Sequence, residues 1–156
     1  MLLIRPFQPA DAAACYRVFF NAVRLGTASH YSEAQRAAWA PSPDMRDSWP
    51  AKLADHITYV AYLSDIVGFM TLGMDGYLDL AYIAPDHMGQ GVGRALYSAI
   101  LADPRSPRTR LTTEASHLAR PFFLSLGWQV EAEQTIKRRD VALTNFRMFK
   151  DPETTP

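Results

Sequence analysis

Residues that build covalent or metal-held scaffolds are scarce in this chain. Its 156 residues include one cysteine, Cys15, and four histidines. One cysteine cannot form an internal disulfide, and the histidines show no zinc-site spacing, so we expect no bound metal. A domain of this size buries about 68–70% of the surface of its unfolded chain, so it needs neither a disulfide nor a structural metal to be stable. The sequence therefore excludes a disulfide scaffold and a zinc ribbon.

Long apolar runs and net charge are also lacking. No apolar run approaches the ~20 residues that cross a bilayer, and residues 1–9 have no apolar core of a secretory signal. Lys and Arg together number 16, as do Asp and Glu. A neutral chain has no general attraction for nucleic acid. We therefore expect a cytoplasmic protein that binds neither nucleic acid nor membrane.

The remaining composition, 48% hydrophobic and 21% charged, is typical of a globular protein. The length predicts a single domain over residues 1–150 and a short tail, 151–156. Asp11 is the candidate N-cap of the first helix. Periodicity and turn residues predict helices at 12–26, 32–40, 51–55, 92–102 and 116–126, and strands at 4–6, 57–62, 66–72, 77–84, 109–115, 128–138 and 141–150.

A glycine-rich turn, residues 87–94, lies between the end of a predicted strand and the start of a predicted helix. Glycines expose backbone N–H groups at the positive end of a helix, where they can bind a phosphate or diphosphate. Walker A would require Gly-Lys-Ser/Thr, and G-x-G-x-x-G from Gly89 would require glycine at Arg94. A nucleotide triphosphatase and a dinucleotide oxidoreductase are therefore poor fits. The glycines alone leave open a turn with no ligand.

The turn resembles the acetyl-CoA-binding motif Q/R-x-x-G-x-G/A of the GNAT superfamily of N-acetyltransferases, with Met88 in the Q/R position and Gly91 and Gly93 as the glycines. Residues 115–128 resemble the second signature, a helix that ends in an aromatic residue, Leu-Gly and another aromatic residue. The chain most resembles a bacterial branch of small GNAT proteins, which share Tyr31-Ser32-x-x-Gln35 with Trp39-Ala40 and a late stretch at residues 141–146. This resemblance implies an α/β GNAT fold, with a mixed, mostly antiparallel seven-stranded sheet flanked by helices, and acetyl-CoA as cosubstrate.

The resemblance also implies which residues hold acetyl-CoA. In this superfamily the strand before the glycine turn separates from its neighbour, and its backbone around Tyr82 pairs with the pantetheine arm and faces the thioester carbonyl. The implied cofactor-binding residues are Ile83, Ala84, Met88, Gly89, Gln90, Gly91, Val92, Gly93, Arg94, Ser116 and Phe123.

Attack of an amine on a thioester requires a base, a polarised carbonyl and a proton for the departing thiolate. Asp79 is the first candidate base because it interrupts an apolar strand, where an unpaired buried carboxylate would be costly. Strand alternation places Tyr77, Asp79 and Ala81 on one face and Tyr82 on the other. The alternative for Asp79 is a solvent-facing or salt-bridged side chain.

Glu114 is the second candidate base, with a capping or structural role as its alternative. The superfamily commonly uses a tyrosine of the second signature as the acid, but this chain has Phe123 there. Phenylalanine cannot donate a proton, so Tyr82, Tyr97 or water takes this role, or the role is not needed, because a thiolate with a pKa of about 8.5 leaves readily.

Tyr31, Gln35 and Trp39 are spaced at i, i+4 and i+8 and are the candidate acceptor-binding residues on one helical face. The alternative is that this stripe packs the helix on the sheet. We thus predict direct transfer of acetyl from acetyl-CoA to the primary amine of a small molecule or peptide, by a chain that forms a homodimer as GNAT domains often do. The alternative is an acyl-CoA-binding sensor or interaction module without catalysis.

Overall fold

A seven-stranded sheet organises the chain in the computed structural model, which describes residues 1–153. The strand order is β1-β2-β3-β4-β5-β7-β6, and among residues 1–153 only β4 and β5 pair in parallel. This confirms the predicted mixed, mostly antiparallel sheet. The strands are β1 (Leu3–Pro6), β2 (Ile57–Tyr62), β3 (Ile66–Leu72), β4 (Tyr77–Ile83), β5 (Leu111–Ala115), β6 (Gln129–Arg138) and β7 (Val141–Lys150).

Five α-helices flank the sheet within residues 1–153: α1 (Ala12–Asn21), α2 (Glu33–Trp39), α3 (Trp49–Ala54), α4 (Val92–Ala102) and α5 (Arg120–Ser125). A π-helical turn (Ala22–Gly26) extends α1, and 3₁₀ turns occupy Pro9–Asp11 and Pro85–His87. None of the helices in this part of the chain combines the length and apolarity needed to cross a bilayer.

Two helices, α3 and α5, begin at residues other than those predicted, and each has a proline in its first turn. α3 begins at Trp49, two residues before the prediction, because Pro50 is tolerated in a first turn. α5 begins at Arg120, immediately before Pro121, and residues 116–119 form a turn rather than the predicted first turn of this helix. Of the predicted tail, residues 154–156 lie outside the described chain, and the single domain at 1–150 stays a prediction.

Asp11 is not the side-chain cap that the sequence predicts. Pro9 begins a 3₁₀ turn before α1, so the Asp11 backbone is already helical. The buried Asp11 carboxylate instead accepts two hydrogen bonds from Arg5, at 2.7 and 3.0 Å, and one from the Gln8 N–H, at 2.8 Å. The Arg5 hydrogen bond lowers the pKa of Asp11. The pair fastens the start of α1 to β1.

The two faces of the sheet carry separate hydrophobic clusters. α4 packs on one face, where Leu96 and Ile100 meet Met70 and Leu78. α1 and α3 pack on the other, in a cluster that includes Val18, Trp49, Phe69 and Leu80. Leu78 and Leu80 are both buried, yet they belong to opposite faces although they lie two residues apart on β4. The regular alternation of a strand is therefore interrupted between them.

Candidate functional site

β4 and β5 separate after two paired residues. Tyr77 pairs with Thr112 and Leu78 with Thr113, and the Thr113 hydroxyl donates a hydrogen bond of 2.7 Å to the Leu78 carbonyl. Beyond this point the parallel strands diverge, and the backbone of residues 79–83 has no strand on its β5 side within the described chain. The divergence confirms the opening that the family resemblance implies at this place.

A β-bulge at Asp79 explains the interrupted alternation of β4. Leu80 pairs with Thr71 and Leu78 with Leu72, so Asp79 has no partner on β3. An extra residue in one strand turns the following side chains to the other face. The prediction that Tyr82 lies opposite Tyr77 and Asp79 is therefore wrong. These three side chains line one cavity, and Ala81 lines a different one.

The glycine cleft, a cavity of about 420 Å³, lies on the α4 side of the opening. Most of the predicted cofactor-binding residues line it, namely Ile83, Met88, Gly89, Gly91, Val92, Gly93, Arg94, Ser116 and Phe123. Ala84 and Gln90 are adjacent but not in its wall. The Ala84 N–H donates to Val67, and the Gln90 side chain donates to the Asp86 carbonyl at 3.3 Å.

The glycine turn presents backbone donors to this cleft. In residues 1–153, no protein acceptor receives a hydrogen bond from the N–H groups of residues 89–94. Gly89 and Gly91 have φ of +76° and +83°, backbone angles that residues other than glycine rarely adopt. A Cβ added at either position would meet no heavy atom within 4 Å, so both face open space. The main chain can therefore approach an anionic group closely.

Two further residues of the turn, Gly93 and Met88, pack against neighbouring parts of the protein. A Cβ on Gly93 would lie 3.0 Å from the Phe122 ring, so glycine here allows α4 to approach α5. The Met88 side chain points towards Gly26, at the end of the π-helical turn, where an added Cβ would lie 2.5 Å from the Met88 methyl group. Met88 thus contributes apolar packing where the family motif has a polar side chain.

The aromatic cavity, about 380 Å³, lies on the other side of the opening. It joins the glycine cleft at three residues that line both, Trp39, Tyr82 and Ser116. The ring centroids of Tyr82 and Phe19 are 5.0 Å apart in an edge-to-face contact. The aromatic side chains of the wall are Tyr16, Phe19, Tyr31, Trp39, Trp49, Tyr77 and Tyr82.

Both candidate bases line the aromatic cavity. The Asp79 carboxylate lies 3.2 Å from the Lys52 ammonium, so the salt-bridged alternative for Asp79 describes the geometry correctly. The Asp79 side chain is nevertheless 27% exposed, towards the cavity that it lines. Glu114 forms no ion pair within residues 1–153.

Of the two tyrosines proposed as acid, only Tyr82 reaches the opening. The Tyr97 hydroxyl is buried in the core, where it accepts a hydrogen bond of 3.1 Å from the Trp128 indole. Burial raises the pKa of Tyr82 far above its usual range. Burial, together with the charges of Glu114 and Asp79, raises the pKa of Tyr77 to about 12. The phenols of Tyr77 and Tyr82 therefore keep their protons.

The three predicted acceptor-binding residues have different surroundings. Tyr31 and Trp39 line the aromatic cavity, but Gln35 does not. Gln35 accepts from the Ser32 N–H at 2.8 Å and donates to the Ala142 carbonyl at 3.0 Å, so it fastens α2 to β7. The Tyr31 hydroxyl donates to the Thr144 carbonyl at 2.7 Å and accepts from the His117 N–H at 3.0 Å. For Gln35, the packing alternative therefore describes the geometry: the side chain holds the helix against the sheet and does not line the cavity.

The sequence did not indicate several other residues of this cavity. Lys52 belongs to α3, and Arg138 and Arg139 belong to the hairpin between β6 and β7. Asn145 lies on β7. No local pattern connects these segments, because the sheet order brings them together.

Comparisons with known proteins agree with this architecture. A family model described as an acetyltransferase (GNAT) domain matches residues 27–150. An uncharacterized N-acetyltransferase of Escherichia coli K12, YafP, is 32% identical over 151 residues, which are 96% of each chain. A crystal structure of a GCN5-related N-acetyltransferase from Rhodopseudomonas palustris is 34% identical, with a TM-score of 0.87 over 96% of this chain and 94% of that one.

A more distant structure shares the fold and carries a ligand. The acetyltransferase yncA of Salmonella typhimurium, solved with its cofactor acetyl-CoA, is 20% identical with a TM-score of 0.68. The superposition covers 100% of this chain and 96% of that one.

Proposed function

The chain belongs to the GNAT family of N-acetyltransferases, and we propose that it transfers the acetyl group of acetyl-CoA to a primary amine by direct attack. The meeting of the glycine cleft and the aromatic cavity at Trp39, Tyr82 and Ser116 carries this proposal. A thioester bound from one side and an amine bound from the other would meet at these residues. Such positioning removes much of the entropic cost of a bimolecular reaction.

The glycine cleft suits the carrier part of acetyl-CoA. The unpaired N–H groups of residues 89–94 would bind its diphosphate, since they combine direct donors with the positive end of α4. The unpaired edge of β4 near Ile83 and Ala84 would bind the pantetheine arm. The Ser116 Oγ accepts from the Ala119 N–H at 3.0 Å and keeps its own proton to donate.

We assign the base to Asp79, with Glu114 as the second candidate. After the bulge, the side chains of Asp79 and Tyr82 line the same cavity. Asp79 would accept the amine proton directly or through one water, and its ion pair with Lys52 would orient the carboxylate. Glu114 lies two residues from Ser116 on the neighbouring strand and could replace Asp79 in this role.

Tyr82 would stabilise the departing thiolate. Because burial raises its pKa, the phenol is a poor source of a free proton but a constant hydrogen-bond donor. A hydrogen bond to the sulfur suffices for a leaving group with a pKa of about 8.5. Phe123, buried against Trp128 with ring centroids 4.9 Å apart, would only border the cleft.

The second candidate function is a module that binds acyl-CoA without catalysis. Phe123 and Met88 favour it, because each replaces a polar residue of the family motifs. Calorimetry with CoA and a thiol-release assay with acetyl-CoA and a panel of primary amines separate the two functions. Thiol release that requires an amine supports the transferase, whereas tight CoA binding with no release from any amine supports the module. Absence of CoA binding overturns both.

Variants of the two carboxylates test the assignment of the base. We expect Asp79→Asn to lower kcat and change its pH profile more than Glu114→Gln does. Glu131→Gln is the control, because Glu131 is exposed and lines neither cavity. The reverse order of effects would transfer the role to Glu114. The predicted homodimer is tested separately, by light scattering of the purified chain.

A further inference from the structure

The aromatic cavity contains more positive than negative charge. Of the seven charged side chains in its wall, four are basic and three acidic. Lys52 and Asp79 pair with each other. The guanidinium groups of Arg46, Arg138 and Arg139 form no ion pair and donate no hydrogen bond within residues 1–153. These three arginines therefore offer unused donors to a ligand in the cavity.

The unused donors and the unused acceptors of the cavity wall belong to different segments of the chain. Arg138 pairs with Val141 beside the turn of the β6–β7 hairpin. Glu114 and Asn145 lie near the junction, since Phe146 pairs with Ala115. The Asn145 Oδ1 is buried with no hydrogen-bond partner in the described chain. A buried polar atom without a partner is costly, so a donor from a ligand would stabilise it.

Arg138 lines the same cavity as the rings of Tyr77 and Tyr82, which lie on β4. Burial raises the pKa of both tyrosines, and the positive charge of Arg138 opposes each rise. A guanidinium near aromatic rings, with no protein carboxylate on it, is suited to a planar anion because its donors match two oxygens at once.

We propose that the acceptor is a small primary amine that also carries a carboxylate, with Arg138, Arg46 and Arg139 binding the carboxylate, and with Asn145 receiving the amine together with one of the two candidate bases, Asp79 or Glu114. This inference rests on the proposed acetyl transfer. The formal charge of the cavity wall is +1, from four basic and three acidic side chains. The reactive form of such an acceptor, a neutral amine with one carboxylate, carries −1 and balances it, whereas a doubly charged phosphonate would exceed it.

Matched amines test the proposal by thiol release. The first pair is L-phenylalanine and 2-phenylethylamine, which differ by the carboxylate, and the second is 4-aminobutyrate and butylamine. We expect kcat/KM to be at least about ten-fold higher for the carboxylated member of at least one pair, through a lower KM. A higher kcat/KM for both uncharged members, or for 1-amino-2-phenylethylphosphonate over phenylalanine, would overturn the proposal.

Arginine variants locate the carboxylate site. Arg138→Ala should reduce the ratio between paired amines to about three-fold or less, and Arg138→Lys should retain part of it, because a lysine keeps the charge but not the two-pronged geometry. Arg108→Ala is the control, because Arg108 is exposed and lines neither cavity. An unchanged ratio in Arg138→Ala, Arg46→Ala and Arg139→Ala would overturn the assignment.

A binding measurement separates this inference from the proposed function. Trp39 and Trp49 line the cavity, so their fluorescence should report N-acetyl-L-phenylalanine and its uncharged counterpart, N-(2-phenylethyl)acetamide. We expect about ten-fold tighter binding of the acid, lost in Arg138→Ala. This preference without thiol release would support the carboxylate site and overturn the transfer. Thiol release without the preference would do the reverse.

Discussion

Replacement of Gly91 by alanine should weaken CoA binding far more than it weakens the fold. Gly91 has φ of +83°, and a residue with a Cβ loses about 1–2 kcal/mol in this conformation. No heavy atom lies within 4 Å of the added Cβ, so no clash increases this cost. For a domain of about 150 residues, the melting temperature should fall by roughly 2–8 °C. Circular dichroism measures this change.

The effect on binding is larger because the new methyl group enters the glycine cleft. The N–H groups of the turn must come within about 2.9 Å of an anionic oxygen to bind it. Loss of one charge-assisted hydrogen bond, about 1.5–3 kcal/mol, corresponds to a roughly 10- to 100-fold weaker Kd. Isothermal calorimetry with CoA should detect a change of this size directly.

Gly127 provides a matched control. Its φ is +87°, so alanine there suffers the same backbone strain, and the nearest atom to the added Cβ is the flexible end of Lys150 at 2.8 Å. Gly127→Ala should therefore lose similar stability and keep the wild-type Kd for CoA. A wild-type Kd in Gly91→Ala would refute the role of the turn, and equal losses of affinity in both variants would indicate a general effect on the fold.

Three further changes probe catalysis and stability. Tyr82→Phe should lower kcat by roughly 10²-fold with little change in CoA affinity, because one donor to the leaving group is lost. Tyr97→Phe, which removes only the partner of an indole in the core, should leave kcat unchanged, and equal effects on kcat would contradict the assignment. Asp103→Asn should lower the free energy of unfolding by about 1.5–3 kcal/mol at pH 7. A hydrogen bond from Arg105 lowers the pKa of the Asp103 carboxyl, and the folded state gains stability from this bond only while the carboxyl is charged. The gap in melting temperature should therefore shrink as pH falls below about 3.9, and a constant gap would refute this origin. Asp140→Gly should raise the free energy of unfolding by about 0.5–1 kcal/mol, because Asp140 has φ of +64° in a two-residue hairpin turn. An unchanged or lower melting temperature would argue against strain at this residue.

Features specified by neighbouring residues were predictable. The strands 57–62 and 66–72 have the predicted bounds, because β-branched and aromatic residues flank a short turn. The helix at 92–102 also matches, since its apolar residues repeat at helical spacing after the glycines. The match to the family model bears out the resemblance on which the function was predicted.

Features that depend on distant segments were not predictable. The bulge at Asp79 could not be predicted from the sequence of β4, because the extra residue is defined only by pairing with β3. The ion pair of Asp79 with Lys52 joins elements separated by two strands along the chain. The arginines of the β6–β7 hairpin reach the cavity because β7 lies between β5 and β6 in the sheet.

The divergence of β4 and β5 also affects how readily the chain could misassemble. An uncovered strand edge is a template on which a foreign segment can add, and this one lies in the interior of a sheet rather than at its margin. A pantetheine arm along this edge would shield it from misassembly, and at 100 times its Kd a ligand stabilises the native state by about 2.7 kcal/mol. The persistence of such a chain in a cell would then follow the abundance of its proposed cosubstrate.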